Sequence, residues 1–166
     1  MEKSKAIGSG TTIGAMTAND RVVGTWKLVS AASTTKNGEP GDPPYGAEPA
    51  GVLTYTEDGR MSSLISYSGR KPLSIGRGKS ETQQEQAEAF STFLAYAGRY
   101  SFSAGKMTHH VEISSIQNYV GKDLVREVKL LDDQLRLTAP PTLVNGKIQS
   151  VELVWERLPR ATETNS

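Results

Sequence analysis

The chain has 166 residues, a length typical of one domain, and 36% of them are hydrophobic, which is enough for a substantial core. Its 19 basic and 18 acidic residues leave a formal net charge of +1, which argues against a nucleic-acid partner held by overall positive charge. The lack of cysteine excludes disulfides, Cys-ligated metals and thiol catalysis. No apolar run approaches the roughly 18 residues of a membrane span, and the N-terminus lacks the apolar stretch of a signal peptide, so we expect a cytoplasmic protein with no membrane span.

The N-terminal segment is small and polar with no sustained period, so we interpret residues 1–20 as a flexible leader. The predicted domain covers residues 21–159, and residues 160–166 are interpreted as a flexible tail. Within the domain, a period of two begins near residue 22 and predicts a strand to about residue 33, with Trp26 and Leu28 on one face.

A long loop is predicted to follow this strand. In residues 34–50, seven of the seventeen residues are Gly or Pro, which neither a helix nor a continuous strand tolerates. Because long loops in compact domains are usually functional or disordered, we expect this loop to act as a lid that carries Tyr45 to the mouth of a cavity.

Two alternating segments, at about 51–56 and 60–67, flank the Asp58-Gly59 pair. Both residues of an Asp-Gly pair tolerate positive φ, as a tight hairpin turn requires. These segments are therefore predicted to form a β-hairpin.

A helix is predicted over about 81–97, with Ser80 as its N-cap, Gln83 as the capping-box partner and Gly98 as its end. Its apolar stripe is formed by Ala87, Phe90, Phe93, Leu94 and Ala97. We expect the stripe to pack over one end of the sheet.

Five more strands are predicted beyond the helix, at about 99–103, 107–116, 123–131, 134–139 and 147–157. The turns between them are predicted at Gly105-Lys106, Gly121-Lys122, Asp132-Asp133 and Asn145-Gly146. Eight antiparallel strands allow the first and the last to pair, which removes both exposed edges. The sequence therefore predicts an all-β fold, an eight-stranded antiparallel up-and-down barrel with one inserted helix.

Alternation also predicts which side chains point into the barrel. The charged side of each strand is taken as the solvated one, which puts His109 and Arg126 inside and His110 outside. Such a lumen, apolar with a few polar groups, is typical of small-molecule pockets. The candidate ligand-binding residues are Tyr45, Tyr55, Tyr67, Tyr100, Phe102, His109, Arg126 and Trp155.

Two arginines on inward faces allow structural interpretations as well. Arg126 either meets a ligand or another partner inside, or lies near a barrel end and reaches solvent along its own stem. Arg157 is expected to stack on Trp26 where the last strand meets the first. The tyrosines, too, serve mostly as lining by default.

Motifs for cofactors and metals are incomplete. A P-loop ending at Gly78-Lys79-Ser80 would need Gly in place of Leu73, and adjacent strand residues such as His109 and His110 diverge to opposite faces. There is no G-x-S-x-G motif and no complete Ser/His/acid constellation. We therefore expect no cofactor and no metal.

Several motifs together resemble a known family. Gly24-Thr25-Trp26, with Arg157 near the C-terminus, resembles the calycins, the lipocalins and fatty-acid-binding proteins, in which a G-x-W motif meets an arginine of the last strand. A closer resemblance, over about residues 22–158, is to the lipocalin-like domain family of bacteria and fungi. It rests on Tyr45-Gly46, Pro49, Gly51, Leu53-Thr54-Tyr55, Asp58-Gly59-Arg60-Met61 and Thr108-His109.

The resemblance implies a calycin-like barrel, and some such barrels bind small molecules while others are cofactor-independent cyclases or isomerases. Fatty-acid specificity does not transfer, because Arg157 is followed by Leu158 and Pro159 where fatty-acid-binding proteins have Arg-x-Tyr. The sequence also lacks the disulfides of secreted lipocalins.

Three functions stay open. The first is a carrier of a small hydrophobic, oxygen-bearing metabolite, and the second is a cofactor-independent isomerase or cyclase of a polyketide- or terpenoid-like intermediate. In the second, His109 and Arg126 would be catalytic, with His109 transferring a proton. The third is a barrel filled by its own side chains. A cavity of about 300 Å³ or more would favour the first two. The oligomeric state is left open.

Overall fold

In the computed structural model, residues 21–74, 82–144 and 146–159 are described, and their strands form one antiparallel sheet of nine. The strands are β1 Gly24–Thr35, β2 Ala50–Tyr55, β3 Arg60–Ser66, β4 Phe93–Ser103, β5 Lys106–Ser114, β6 Asp123–Leu131, β7 Gln134–Thr138, β8 Thr142–Val144 and β9 Lys147–Arg157. The helix α1 spans Gln83–Ser91, and a 3-10 turn spans Gln117–Tyr119.

The predicted eight-stranded antiparallel barrel is confirmed. Strands β1 to β7 pair in chain order, β7 pairs with β9, and β9 pairs with β1 to close the barrel. The short strand β8, which the sequence did not predict, forms a hairpin with β9. The predicted leader and tail, residues 1–20 and 160–166, lie outside the described residues, as does the Gly78-Lys79-Ser80 segment.

The alternation of the sequence decides which faces are buried. On β5, Met107, His109 and Val111 are buried, and on β6 the inward residues are half-buried while Glu127 and Lys129 are exposed. Apolar side chains that alternate along a strand reach one face of the sheet, and in a closed barrel that face is the core. The predicted inward positions of His109 and Arg126 are therefore correct.

The helix prediction over 81–97 is wrong in its bounds. The helix begins after Thr82, whose hydroxyl accepts from the N–H of Glu85 in a capping box, and it ends before Thr92. Phe90, expected to pack inward, is 55% exposed. The segment after Thr92 forms β4, because pairing with β3 and β5 gives its backbone a full ladder and its period of two buries Tyr96.

Gly98 lies inside β4 and does not end a helix. The register of β4 against β5 shifts between Ala97 and Gly98. A Cβ on Gly98 would overlap the backbone carbonyl oxygen of His110 and approach the nitrogen of Glu112 at 2.9 Å. Glycine is therefore required for this close approach of two backbones.

The barrel closes around Trp26 and Arg157, as the sequence predicted. The two residues are paired in the β1–β9 register, and the guanidinium carbon lies 4.1 Å from the centroid of the indole ring. Trp26 is fully buried and its indole N–H donates to the carbonyl of Val22 at 2.9 Å. Arg157 donates to the carbonyls of Val23, at 2.8 Å, and of Arg21. These bonds hold the segment before β1 across the end of the barrel.

Among the described residues, no helix combines the length and the apolar character that crossing a membrane would require.

The substitution Trp26→Ala is expected to lower the free energy of unfolding by roughly 3–5 kcal/mol, because it removes a large buried ring and leaves a cavity under Arg157. Denaturant unfolding measures the change. The control is Val29→Ala on the same strand, whose side chain is 53% exposed and which should change stability little. A Trp26→Ala protein as stable as the control would contradict the closure described above.

The substitution Gly98→Ala is expected to destabilise the protein by about 1–3 kcal/mol, since the added methyl group must push β4 and β5 apart. Thermal unfolding followed by circular dichroism measures the effect. A melting temperature equal to that of the wild type would show that the two strands are not held at this spacing.

Candidate functional site

A cavity of about 50 Å³ lies in the lumen of the barrel. Its lining combines aliphatic, aromatic and polar side chains from the strands, the loop before β2 and the 3-10 turn. The lining residues are Tyr45, Leu53, Ser63, Ile65, Leu94, Tyr96, His109, Tyr119, Arg126, Leu137, Leu153 and Trp155. This volume holds one or two water molecules and is far below the roughly 300 Å³ of a ligand pocket.

A hydrogen-bonded chain of buried side chains lies beside the cavity. The Nε2 atom of His109 is 2.6 Å from the hydroxyl of Tyr55, and its Nδ1 atom is 3.0 Å from the hydroxyl of Tyr96. The three residues come from β2, β4 and β5, so these two hydrogen bonds span four neighbouring strands of the sheet.

Burial keeps the hydrogen-bonded side chains of His109, Tyr55 and Tyr96 uncharged. Desolvation, helped by the positive charge of Arg126 and by His110, lowers the pKa of His109 from 6.5 to about 3. Desolvation also raises the pKa of Tyr55 and of Tyr96. A neutral imidazole has one donor and one acceptor nitrogen, so one tyrosine donates to His109 and the other accepts from it. Both ring nitrogens are occupied.

Arg126 brings the cationic charge into the lining. It is half-buried, and its Nη1 donates to the carbonyl of Val125 at 2.8 Å. Among the described residues it makes no ion pair with a carboxylate. The sequence left open whether Arg126 points into the barrel or reaches solvent. In the structure the side chain does both, because it lines the cavity and its hydrogen bond to Val125 is exposed.

Trp155 supplies a donor without an acceptor. Its side chain is 1% exposed and lines the cavity. Its indole nitrogen has no hydrogen-bond partner, the single such case among the buried side-chain nitrogen and oxygen atoms of the described residues. Buried polar groups are nearly always paired, so this N–H needs an explanation.

The loop before β2 places Tyr45 against the cavity, as the sequence predicted. The backbone N–H of Ser68 donates to the carbonyl of Tyr45 at 3.0 Å, and the ring packs edge-on against Tyr67 with centroids 5.1 Å apart. Burial raises the pKa of the Tyr45 hydroxyl, which therefore stays protonated. Gly46 follows with a φ of +83° and lies so close to Ser68 that a Cβ would overlap its hydroxyl.

Of the eight candidate ligand-binding residues, four line the cavity: Tyr45, His109, Arg126 and Trp155. Tyr55 reaches the site through its hydrogen bond to His109. The other three lie nearby without lining it. Tyr67 packs on Tyr45, Tyr100 donates its hydroxyl to the carbonyl of Thr56 at 3.0 Å, and Phe102 packs against the core.

Sequence reasoning missed Tyr96, Tyr119 and Ser63. Tyr96 was assigned to the helix, although the alternation of Leu94, Tyr96 and Gly98 was a usable signal for an inward strand residue. Tyr119 lies in the 3-10 turn, which no pattern predicted. Ser63 shares its face with Met61 and Ile65, and its small polar side chain gave no indication of a partner.

The structure brings together a Ser/His/acid group that the sequence did not indicate. On the outer face, Ser101 Oγ lies 3.1 Å from Nε2 of His110, whose Nδ1 lies 2.7 Å from Asp123. Strand register brings them together, since His110 pairs with Asp123. The side chain of Asp123 is 61% exposed, so this constellation lacks the water-excluded surroundings in which such groups stabilise charge. We interpret it as a surface hydrogen-bond network.

Comparison with known proteins identifies the family. A family model described as a lipocalin-like domain matches residues 23–158, so the chain belongs to the lipocalin-like domain family. A relative from Aspergillus oryzae, named 4'-hydroxy-3'-methoxypropiophenone carrier protein ppsC, is 36% identical over 92 residues, which cover 50% of this chain and 83% of the relative.

Two solved structures are similar at low identity. A lipocalin-like protein from Bacteroides uniformis aligns with a TM-score of 0.44 and 12% identity, covering 83% of this chain and 99% of that one. A mutant of the fluorescent protein UnaG aligns with a TM-score of 0.36 and 13% identity, covering 83% and 96%.

The low pKa of His109 predicts a pH dependence of stability. Between pH 6.5 and about 3 the unfolded chain binds a proton at His109 that the folded protein does not, so stability falls as the pH falls. From neutral pH to pH 5 the loss from this residue is about 2 kcal/mol. His109→Gln should remove it and flatten the stability profile over this range.

Chemical denaturation at several pH values gives the free energy of unfolding as a function of pH for the wild type and for His109→Gln. Comparing the slopes of the two curves removes any constant destabilisation caused by the substitution. Nitrogen NMR of the imidazole gives a direct check, since the ring should still be neutral at pH 5. A ring that titrates near pH 6.5 would contradict the burial described here.

Proposed function

We propose that this protein is a carrier that binds a small, largely apolar, oxygen-bearing molecule in the lumen of its barrel. The observation that carries the proposal is the convergence of Arg126, Trp155 and the hydrogen-bonded His109 on a cavity that aliphatic side chains also line. A mixture of apolar area and a few oriented polar groups is typical of small-molecule sites. The relative named a carrier of a substituted propiophenone supports the same class of ligand.

The size of the cavity requires the lining to move on binding. A volume of about 50 Å³ is too small for an aromatic ketone, so the ligand must displace side chains. Tyr45 and Tyr119 are the best placed to do so, because both are half-buried and lie outside the barrel strands. Entry at the end of the barrel that these two residues cover then requires no break in the sheet.

The low pKa of His109 favours binding over turnover. A general acid or base works best when its pKa is near the operating pH, whereas His109 has a pKa of about 3 and both nitrogens are hydrogen-bonded. In the carrier, His109 orients Tyr55 and Tyr96. An isomerase or cyclase in the same pocket would need another proton-transferring group.

The small cavity favours one competing function, a barrel filled by its own side chains with no lumen ligand. The carrier is tested by native mass spectrometry of the purified protein and by titration with 4'-hydroxy-3'-methoxypropiophenone. We expect a one-to-one complex and a higher melting temperature, since a ligand at 100 times its Kd adds about 2.7 kcal/mol of stability.

A pair of tryptophan substitutions locates the binding site. Leu153→Trp places a large ring in the cavity and should abolish binding, whereas Leu64→Trp places the same ring on the outer face, where Leu64 is 41% exposed, and should leave binding unchanged. The lack of any complex with the wild-type protein would support the filled barrel. Binding that survives Leu153→Trp would place the ligand elsewhere.

A further inference from the structure

The lining of the cavity offers hydrogen-bond donors that lack acceptors. The Trp155 indole N–H is a donor only, and it is unpaired. The guanidinium of Arg126 also only donates, and its one hydrogen bond among the described residues uses a single N–H. By contrast, both ring nitrogens of His109 are hydrogen-bonded, one to Tyr55 and the other to Tyr96. These two donors therefore lack a hydrogen-bond acceptor, which an oxygen atom of a ligand would supply.

The cost of burying a charge in the lumen favours a neutral acceptor over an anionic one. For Tyr45, Tyr55, Tyr96 and His109 alike, burial is the largest cause of the pKa shift, and each shift favours the uncharged form. The positive charge of Arg126 opposes this for the three tyrosines and does not overcome it. A buried charge on a ligand would meet the same penalty, so burial in the lumen favours an uncharged ligand.

We propose that Trp155 and Arg126 form a subsite for the carbonyl oxygen of an uncharged aryl ketone, with the indole N–H as the principal donor. This inference rests on the proposed carrier function and adds the ligand group that the site recognises. The aromatic part of the ligand packs among Tyr45, Tyr96 and the aliphatic lining. The carbonyl gives the Trp155 N–H the partner that it lacks.

The probes are acetophenone and ethylbenzene, which have similar shapes and differ in the carbonyl oxygen. Calorimetry gives the affinity of each probe for the wild type and for Trp155→Phe, which keeps a buried ring and removes the N–H. Recovering an unpaired buried donor is worth enough to change affinity about tenfold. The acetophenone-to-ethylbenzene affinity ratio should therefore fall about tenfold in Trp155→Phe.

The matched control is Trp26→Phe. Trp26 does not line the cavity and its N–H bonds to the carbonyl of Val22, so this substitution should leave the affinity ratio unchanged. A second readout needs no variant. Infrared spectroscopy of carbonyl-labelled acetophenone bound to the wild type should show the lower stretching frequency of a hydrogen-bonded carbonyl, and the shift should be smaller in Trp155→Phe.

The outcomes separate the two proposals. If both probes bind but the affinity ratio is the same in Trp155→Phe, or the bound carbonyl absorbs as it does in an apolar solvent, the carbonyl subsite is overturned and the carrier function stands. If neither probe nor any larger aryl ketone binds the wild type, the carbonyl subsite is overturned, and the carrier function fails as well if native mass spectrometry shows no retained ligand. Should Trp155→Phe not fold, the infrared frequency of the wild-type complex decides.

Discussion

The whole structure depends on closure of the sheet between β1 and β9. An open sheet of this length would leave two edges with unpaired backbone groups and would expose its inward face. Pairing along nearly the whole of β1 removes both edges, and the stacked Trp26 and Arg157 cover one end. Closure converts one face of a curved sheet into a lumen. The inward side chains are then surrounded by one another and by residues such as Tyr45 and Tyr119 that lie outside the strands.

This enclosure accounts for the chemistry of the site. Groups that titrate near neutral pH in water are held neutral in the lumen, and His109 is fixed by two tyrosines from neighbouring strands. Arg126 stays compatible with the lumen because it is half-buried and reaches the exposed carbonyl of Val125. The interior thus combines an uncharged, hydrogen-bonded chain with a cation at its boundary.

Much of this could be predicted from the sequence, because a period of two assigns faces wherever charged residues mark the outside. That rule placed His109, Arg126 and Trp155 correctly. It failed at 92–98, where an apolar helical spacing and a strand alternation coincide and pairing with β3 and β5 decides between them. Cavity volume and the Ser101 network depend on rotamers and register, which a sequence pattern does not contain.

A small cavity alone does not distinguish a filled barrel from a carrier, and the unpaired indole N–H of Trp155 supports the proposed carrier. In a barrel filled for stability, Phe at position 155 would supply similar apolar contact without an unsatisfied donor, whose burial costs about 1–3 kcal/mol. This donor belongs to a residue that lines the cavity, and the same lining includes Arg126, which has no carboxylate partner among the described residues. An oxygen-bearing ligand would satisfy the Trp155 N–H and bond to Arg126. A hydrogen bond to the Trp155 N–H would in this way contribute to the affinity for such a ligand.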